Sequence, residues 1–185
     1  MRVALVVVAV AVLLGGCLVA TYNRLVRQRN HVQAAGAQID VQLKRRHDLI
    51  PNLVRAVEGY AAHERGTFAS VVAARQEAVA ALGRSRAEQA AAEGALTRAL
   101  GGLLAVAEAY PQLRADRSFA ALQAELSGTE DRIAYARQFL NTAVQTLNTT
   151  VQSFPSNLVA RLGGFGLAEY FRAEQAERGA VTVRF

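Results

Sequence analysis

The chain has 185 residues with three prolines, one cysteine and no tryptophan, a length that fits one domain plus an anchor and a composition that favours helices. The lone Cys17 excludes an internal disulfide. The formal net charge of +6 is local: six bases between Arg24 and Arg46 face only Asp40, whereas fourteen Arg and fourteen acids balance from His47 onward, which argues against the basic stripe of a nucleic-acid binder.

Val3 to Ala20 carries no charge. Eighteen residues at ~1.5 Å each reach about 27 Å as a helix, close to the ~30 Å hydrocarbon layer. Val3, Val8, Leu13, Leu14 and Leu18 are expected to face lipid, Tyr22 to sit at the interface, and Arg24, Arg27 and Arg29 to contact anionic headgroups. The competing reading is a lipoprotein signal: Leu14-Gly15-Gly16-Cys17 looks like a lipobox, with Cys17 the lipidated residue and Val3 to Leu14 the h-region. The two readings place the rest of the chain on opposite sides of the inner membrane. A spanning helix with its arginines on the C-terminal flank puts the domain in the cytoplasm; a lipoprotein puts it outside. The longer apolar run and the arginine cluster favour spanning.

Beyond Tyr22, apolar and small residues at Leu25, Val32, Ala35 or Gly36, Ile39 and Leu43 keep a helical period, so the membrane helix is expected to run on without a linker. The triplet Lys44, Arg45 and Arg46 reads as a solvated helix face or as a partner contact. Pro51 predicts a kink or break near Leu49 to Asn52. The register resumes at Leu53 and runs to Leu82, with Gly83 as its stop. Ser85 and Glu88 form a capping box for a helix to about Ala109, ended by Tyr110-Pro111. A short helix from Ser118 to Leu126 is expected to stop at Ser127-Gly128, and another, opening near Thr129, to end at Phe154-Pro155.

Ser153 to Gly166 has the composition of an exposed loop, with Leu167 to Glu177 as a last short helix. Phe154, Leu158, Phe165, Tyr170 and Phe171 either cover the end of the bundle or make a docking patch, and Asn148 and Asn157 are placed to hold this loop through its backbone. The tail Val181 to Phe185 alternates like a strand; Val181, Val183 and Phe185 could pair between subunits or on a partner's sheet edge, or the terminus could simply fray. The predicted architecture is all-α. A transmembrane helix (residues 1–22) continues into a long antiparallel bundle of about four helices (23–153). A C-terminal loop, short helix and strand-like tail (154–185) pack on the bundle.

Four stretches then carry a resemblance: YNRLVRQRN at Tyr22 to Asn30, IDVQLKRRHDLIPNLVRAVEGYAAHE at Ile39 to Glu64, the run from Ala109 to Arg137, and FPSNLVA with GFGLAEYF between Phe154 and Phe171. In these the chain resembles the LemA family of bacterial membrane-anchored helical proteins. The second stretch is the most specific, because no generic helix demands a basic triplet, a proline and a Gly-Tyr at those offsets. Phe139-Leu140 departs from the family, which usually carries tyrosine there. The resemblance implies a long-helix bundle behind a membrane anchor and supplies no established activity.

The residues offer no catalytic constellation. His31, His47 and His63 recur every sixteen positions, which turns successive rings by about 160° on a straight helix. His63-Glu64 opens like HExxH, but Thr67 stands where the second histidine belongs. Glu130 and Asp131 point to different helix sides, and the glycines of 163–166 follow no strand. The expected protein is therefore non-enzymatic, without cofactor or metal. It is read as a self-assembling membrane scaffold or adaptor, with an accessory subunit of a membrane enzyme such as a protease or transporter as the alternative.

Overall fold

A computed structural model of the protein describes residues 1–172, and among these the regular structure is entirely helical. Six helices follow in order: α1 (Arg2–Glu58), α2 (Arg65–Ala81), α3 (Arg86–Glu108), α4 (Pro111–Arg114), α5 (Arg117–Gln152) and α6 (Ser156–Leu162). Among the described residues they contribute to two compact units, one of residues 1–37 with 138–169 and one of residues 38–137 with 170–172.

The second unit is built on seams of alternating three- and four-residue spacing. On α1 the buried positions include Ile39, Leu43, Arg46, Ile50, Leu53 and Val57; on α3 they include Gln89, Glu93, Leu96, Leu100, Leu103 and Ala107. That spacing keeps one stripe of each helix turned inward. Phe68 and Val71 of α2, Leu113 of α4, and Phe119 and Leu126 of α5 close the apolar core with them. Each fully buried leucine here is worth about 1.5–3 kcal/mol over leaving it in water. α2 and α3 form a hairpin through Gly83, whose φ of +83° is a conformation that glycine takes without a side-chain clash. The capping box at Ser85 and Glu88 is present as expected.

Pro51 does not break α1, which runs through it to Glu58. A proline lacks the N–H that would bond the carbonyl four residues back, here that of His47. The Arg75 Nε–H of α2 donates to that carbonyl at 2.7 Å, so the acceptor left orphaned by Pro51 is satisfied from a neighbouring helix. The real interruption lies at residues 59–64, where a turn carries Gly59 and buries Ala61.

The expected stop at Ser127-Gly128 is also absent: α5 is one helix of 36 residues. An interior glycine costs roughly 1 kcal/mol, less than the burial of the flanking Leu126 and Ile133 returns at about 1.5–3 kcal/mol each. The cap at its start is Asp116 rather than Ser118, since Asp116 Oδ1 accepts the backbone N–H of Ser118 at 2.7 Å and of Phe119 at 3.1 Å. Those two bonds hold the Asp116 carboxyl below the usual carboxylate range. The break at Phe154-Pro155 stands, but the expected loop of 153–166 contains helix α6. Leu167 to Arg172 is not helical, so the described part of the expected last helix is irregular; the remainder, and the tail with Val181, Val183 and Phe185, lie outside the described residues.

The first unit packs Leu25 of α1, Leu147 of α5, Val159 and Ala160 of α6 and Phe165 into a small apolar core of its own, with Val26, Val32, Val151 and Ala168 against it. Asn148 clamps the chain after α6: its Nδ2–H donates to the Ala168 carbonyl at 2.9 Å and its Oδ1 accepts the Ala168 N–H at 2.8 Å. This is the loop-holding role expected of Asn148. Asn157 differs, because its Oδ1 is buried with no hydrogen-bond partner.

Candidate functional site

Two arrangements collect the residues singled out in the sequence. The first is a polar layer inside the second unit. Arg46 occupies a seam position, 2% exposed, where a leucine would be expected. Its Nη1 bonds Glu93 Oε2 of α3 at 2.8 Å and its Nη2 donates to Thr97 Oγ1 at 2.7 Å. Nε lies 2.7 Å from Glu130 Oε1 of α5, yet this N–H makes no hydrogen bond, so that attraction is Coulombic and not directional. The other oxygen of Glu93 sits 2.7 Å from His47 Nε2. An ionised carboxylate only accepts, so Nε2 carries the proton. The buried His47 Nδ1 has no partner.

The layer continues at its edges. Asp40 Oδ1 accepts from Arg86 Nη1 at 2.8 Å and Gln89 Nε2 at 2.9 Å, and Arg45 Nη2 reaches Glu125 at 2.9 Å. Burial pushes the Glu130 carboxyl up, with the like charge of Glu93 adding to it and the Arg46 guanidinium opposing it. Replacing such a layer with apolar residues is often neutral, but removing one member leaves a charge stranded in the core. What the arrangement does chemically is fix helix register: Arg46 meets Glu93 on α3 and Glu130 on α5 together only when all three helices are in step.

The basic triplet therefore divides three ways. Lys44 is exposed and pairs with Asp48 at 2.7 Å, Arg45 is half-exposed, and Arg46 is interior. A partner contact through Arg46 is thus excluded by its burial, and a solvated face describes only Lys44 and part of Arg45. Sequence reasoning missed Glu93, Gln89, Asp40 and Arg75. The signal for the first two was present, since Gln89 and Glu93 continue the α3 seam backward from Leu96 and Leu100, just as Arg46 interrupts that of α1.

The second arrangement is in the first unit. Val3, Val8, Leu13, Leu14 and Leu18 are all exposed, between 54% and 78%, and the 18-residue apolar window of α1 has none of its residues buried. This helix is long and apolar enough to cross a membrane. α3 passes the same test of length and composition, but its apolar side is spent on the core. Cys17 is exposed within α1. The Tyr22 ring meets Phe165 edge-on at 5.5 Å, while the Arg29 guanidinium lies 5.1 Å over the same Phe165. Arg24, Arg27 and Arg29 are exposed. Of the aromatic and apolar group after α5, Phe165 and Phe171 are buried, and Phe154 and Leu158 are not. Among the described residues no group of three or more His, Cys, Asp or Glu is placed to hold a metal ion.

Comparison with known proteins adds the family. The chain is 31% identical over 183 residues to magnetosome protein MamQ 2 of Paramagnetospirillum magneticum, covering 86% of this chain and 67% of that protein. It is 29% identical over the same span to magnetosome protein MamQ of Magnetospirillum gryphiswaldense. Against protein LemA of Metamycoplasma hominis it is 24% identical over 156 residues, 84% of this chain and 71% of the relative. The LemA family profile matches residues 35–185, which takes in the triplet, Pro51 and the seams of the second unit, so the chain belongs to the LemA family.

Proposed function

We propose that this protein is a non-enzymatic scaffold or adaptor, anchored by α1 in the bacterial inner membrane and self-assembling there. The observation that carries the reading is the wholly unburied apolar window of α1. Such a run of valine and leucine is far larger than the apolar patches that soluble monomers leave in water, and a bilayer covers it. Arg24, Arg27 and Arg29 follow the window while only Arg2 precedes it, which orients the chain beyond Tyr22 toward the cytoplasm.

The second unit supports a presenting role rather than a chemical one. Its buried ionisable side chains Arg46 and His47 are both committed to Glu93 in the interior, and a helix frame held in register by a polar layer is suited to display its exterior. The mechanism is geometric: the anchor sets position and the packed helices set shape.

Washing membranes with high salt and then alkaline carbonate, followed by intact mass and solution mass in detergent, tests this. The expected result is retention in the membrane, an unprocessed chain with unmodified Cys17, and a mass that is a multiple of 19.8 kDa. A chain released by washing overturns the anchor, and a lipidated Cys17 at a new N-terminus overturns the spanning helix in favour of a lipoprotein. A monomer bound in fixed ratio to a membrane enzyme overturns self-assembly in favour of an accessory subunit.

A further inference from the structure

The short helix α6 has two unlike faces. Val159 and Ala160 are buried against Leu25 and Phe165, whereas Leu158 is 52% and Leu162 is 90% exposed. Residues 158 and 162 are four apart and share a face. The flanking turns extend the same character, with Phe154 80% and Leu167 59% exposed. Four large apolar side chains clustered along fourteen residues are not the scattered singles of an ordinary surface.

Where this patch stands decides what covers it. α6 leads directly into Gly163 and Phe165, and both lie against Tyr22: the rings meet at 5.5 Å, and a Cβ at Gly163 would come within 3.1 Å of Tyr22 Cε2. Tyr22 is two residues past Ala20, where the apolar run ends, about 3 Å along the helix axis. Leu162 is three residues from Phe165, at most about 11 Å of chain. The patch is therefore continuous with the surface that α1 offers to lipid. Charge points the same way: residues 1–37 and 138–169 hold Arg2, Arg24, Arg27, Arg29 and Arg161 against the single acid Glu169.

We propose that α6 and its flanking turns are a second membrane contact, an amphipathic foot lying in the interface of anionic lipids beside the exit of α1. The inference rests on α1 being the anchor. Seven residues are too few to form a helix alone in water, but here packing and the Asn148 clamp hold the helix ready-made, so docking needs little ordering. Leu158, Leu162 and Phe154 enter the headgroup–acyl boundary. Arg24, Arg27 and Arg161 stay at the phosphates, within the ~8 Å over which charge acts at physiological salt.

Because α1 retains the chain whatever α6 does, the test must read depth and not binding. The full chain carrying Cys17→Ser and Leu162→Cys is labelled with a polarity-sensitive fluorophore and placed in phosphatidylcholine vesicles with or without phosphatidylglycerol. Val10→Cys serves as the lipid reference, Val72→Cys on α2 as the aqueous one, and Leu158→Cys as a second site on α6. The label at 162 is expected to emit to the blue of that at 72, more so with phosphatidylglycerol, and to be quenched by nitroxide-bearing lipid. A label at 162 that matches 72 while 10 is in lipid overturns the foot and leaves the anchor standing. Aqueous emission at both 10 and 162 overturns the anchor and the foot with it. A blue shift that ignores lipid quencher and vanishes on dilution in detergent overturns the lipid assignment in favour of a second copy of the chain.

Discussion

The bond from Arg75 to the His47 carbonyl exists because Pro51 cannot make it, and this can be tested by a double-mutant cycle. In the native chain, Arg75→Ala leaves a carbonyl without a donor in a partly buried helix, a loss of about 1–3 kcal/mol. In a Pro51→Ala background the residue at 51 regains its N–H, the helix bonds its own carbonyl, and Arg75 becomes dispensable there. The same Arg75→Ala change should then cost about 1 kcal/mol less, or better. Arg75 also draws the Asp48 carboxyl down through its charge, after the larger hydrogen bond from Lys44. That contribution is lost in both backgrounds and cancels from the coupling. Thermal unfolding of the four full-length chains in one detergent reads it, since 1 kcal/mol moves Tm by roughly 2–4 °C for a chain of this size. An Arg75→Ala penalty that is equal in the two backgrounds would refute the link between the proline and the arginine.

Other perturbations bear on the remaining parts. Arg46→Met strands Glu93 in the core and is expected to lose about 3–5 kcal/mol, while adding Glu93→Leu should recover most of it; Lys44→Ala, which breaks only an exposed pair, should stay within about 1 kcal/mol. Failure of the second substitution to rescue Tm would mean that the layer is not one unit. Asn148→Ala removes both bonds to Ala168, so amide exchange at Ala168 should rise towards that of an open loop, and unchanged protection would discount the clamp. Because burial raises the Glu130 carboxyl above its unfolded 4.5, its contribution to stability is full below 4.5 and is lost as pH climbs through the raised folded value. The native chain should therefore lose stability relative to Glu130→Gln as pH rises from 4.5, and a gap that stays constant or moves the other way counts against it.

Much of this architecture was legible because it is written locally. An uncharged run of membrane length, a seam of alternating three and four, and a Ser-x-x-Glu box each state their helix within a few turns, and all three appear in the structure. Local reading failed where two signals competed. Pro51 and Gly128 are honest helix breakers, and each is outweighed by partners remote in sequence: Arg75 for the proline, the buried flanks Leu126 and Ile133 for the glycine. The turn at residues 59–64 was overlooked for the opposite reason, since apolar Tyr60 and Ala61 continue the pattern through it.

The polar layer is the clearest division of labour. Sequence spacing writes the apolar stripe of α1 through Ile39 and Leu43 and puts the apolar window of α1 at membrane length, but it reads Arg46 as a solvated or partner-facing residue; its interior place is decided by the fold. That Arg46 finds Glu93 and Glu130, that His47 shares Glu93, and that Phe165 returns to Tyr22 depend on residues tens of positions apart. A chain encodes the period of a helix in its nearest neighbours, but the partner of a charge is set only when distant segments come together and expel water.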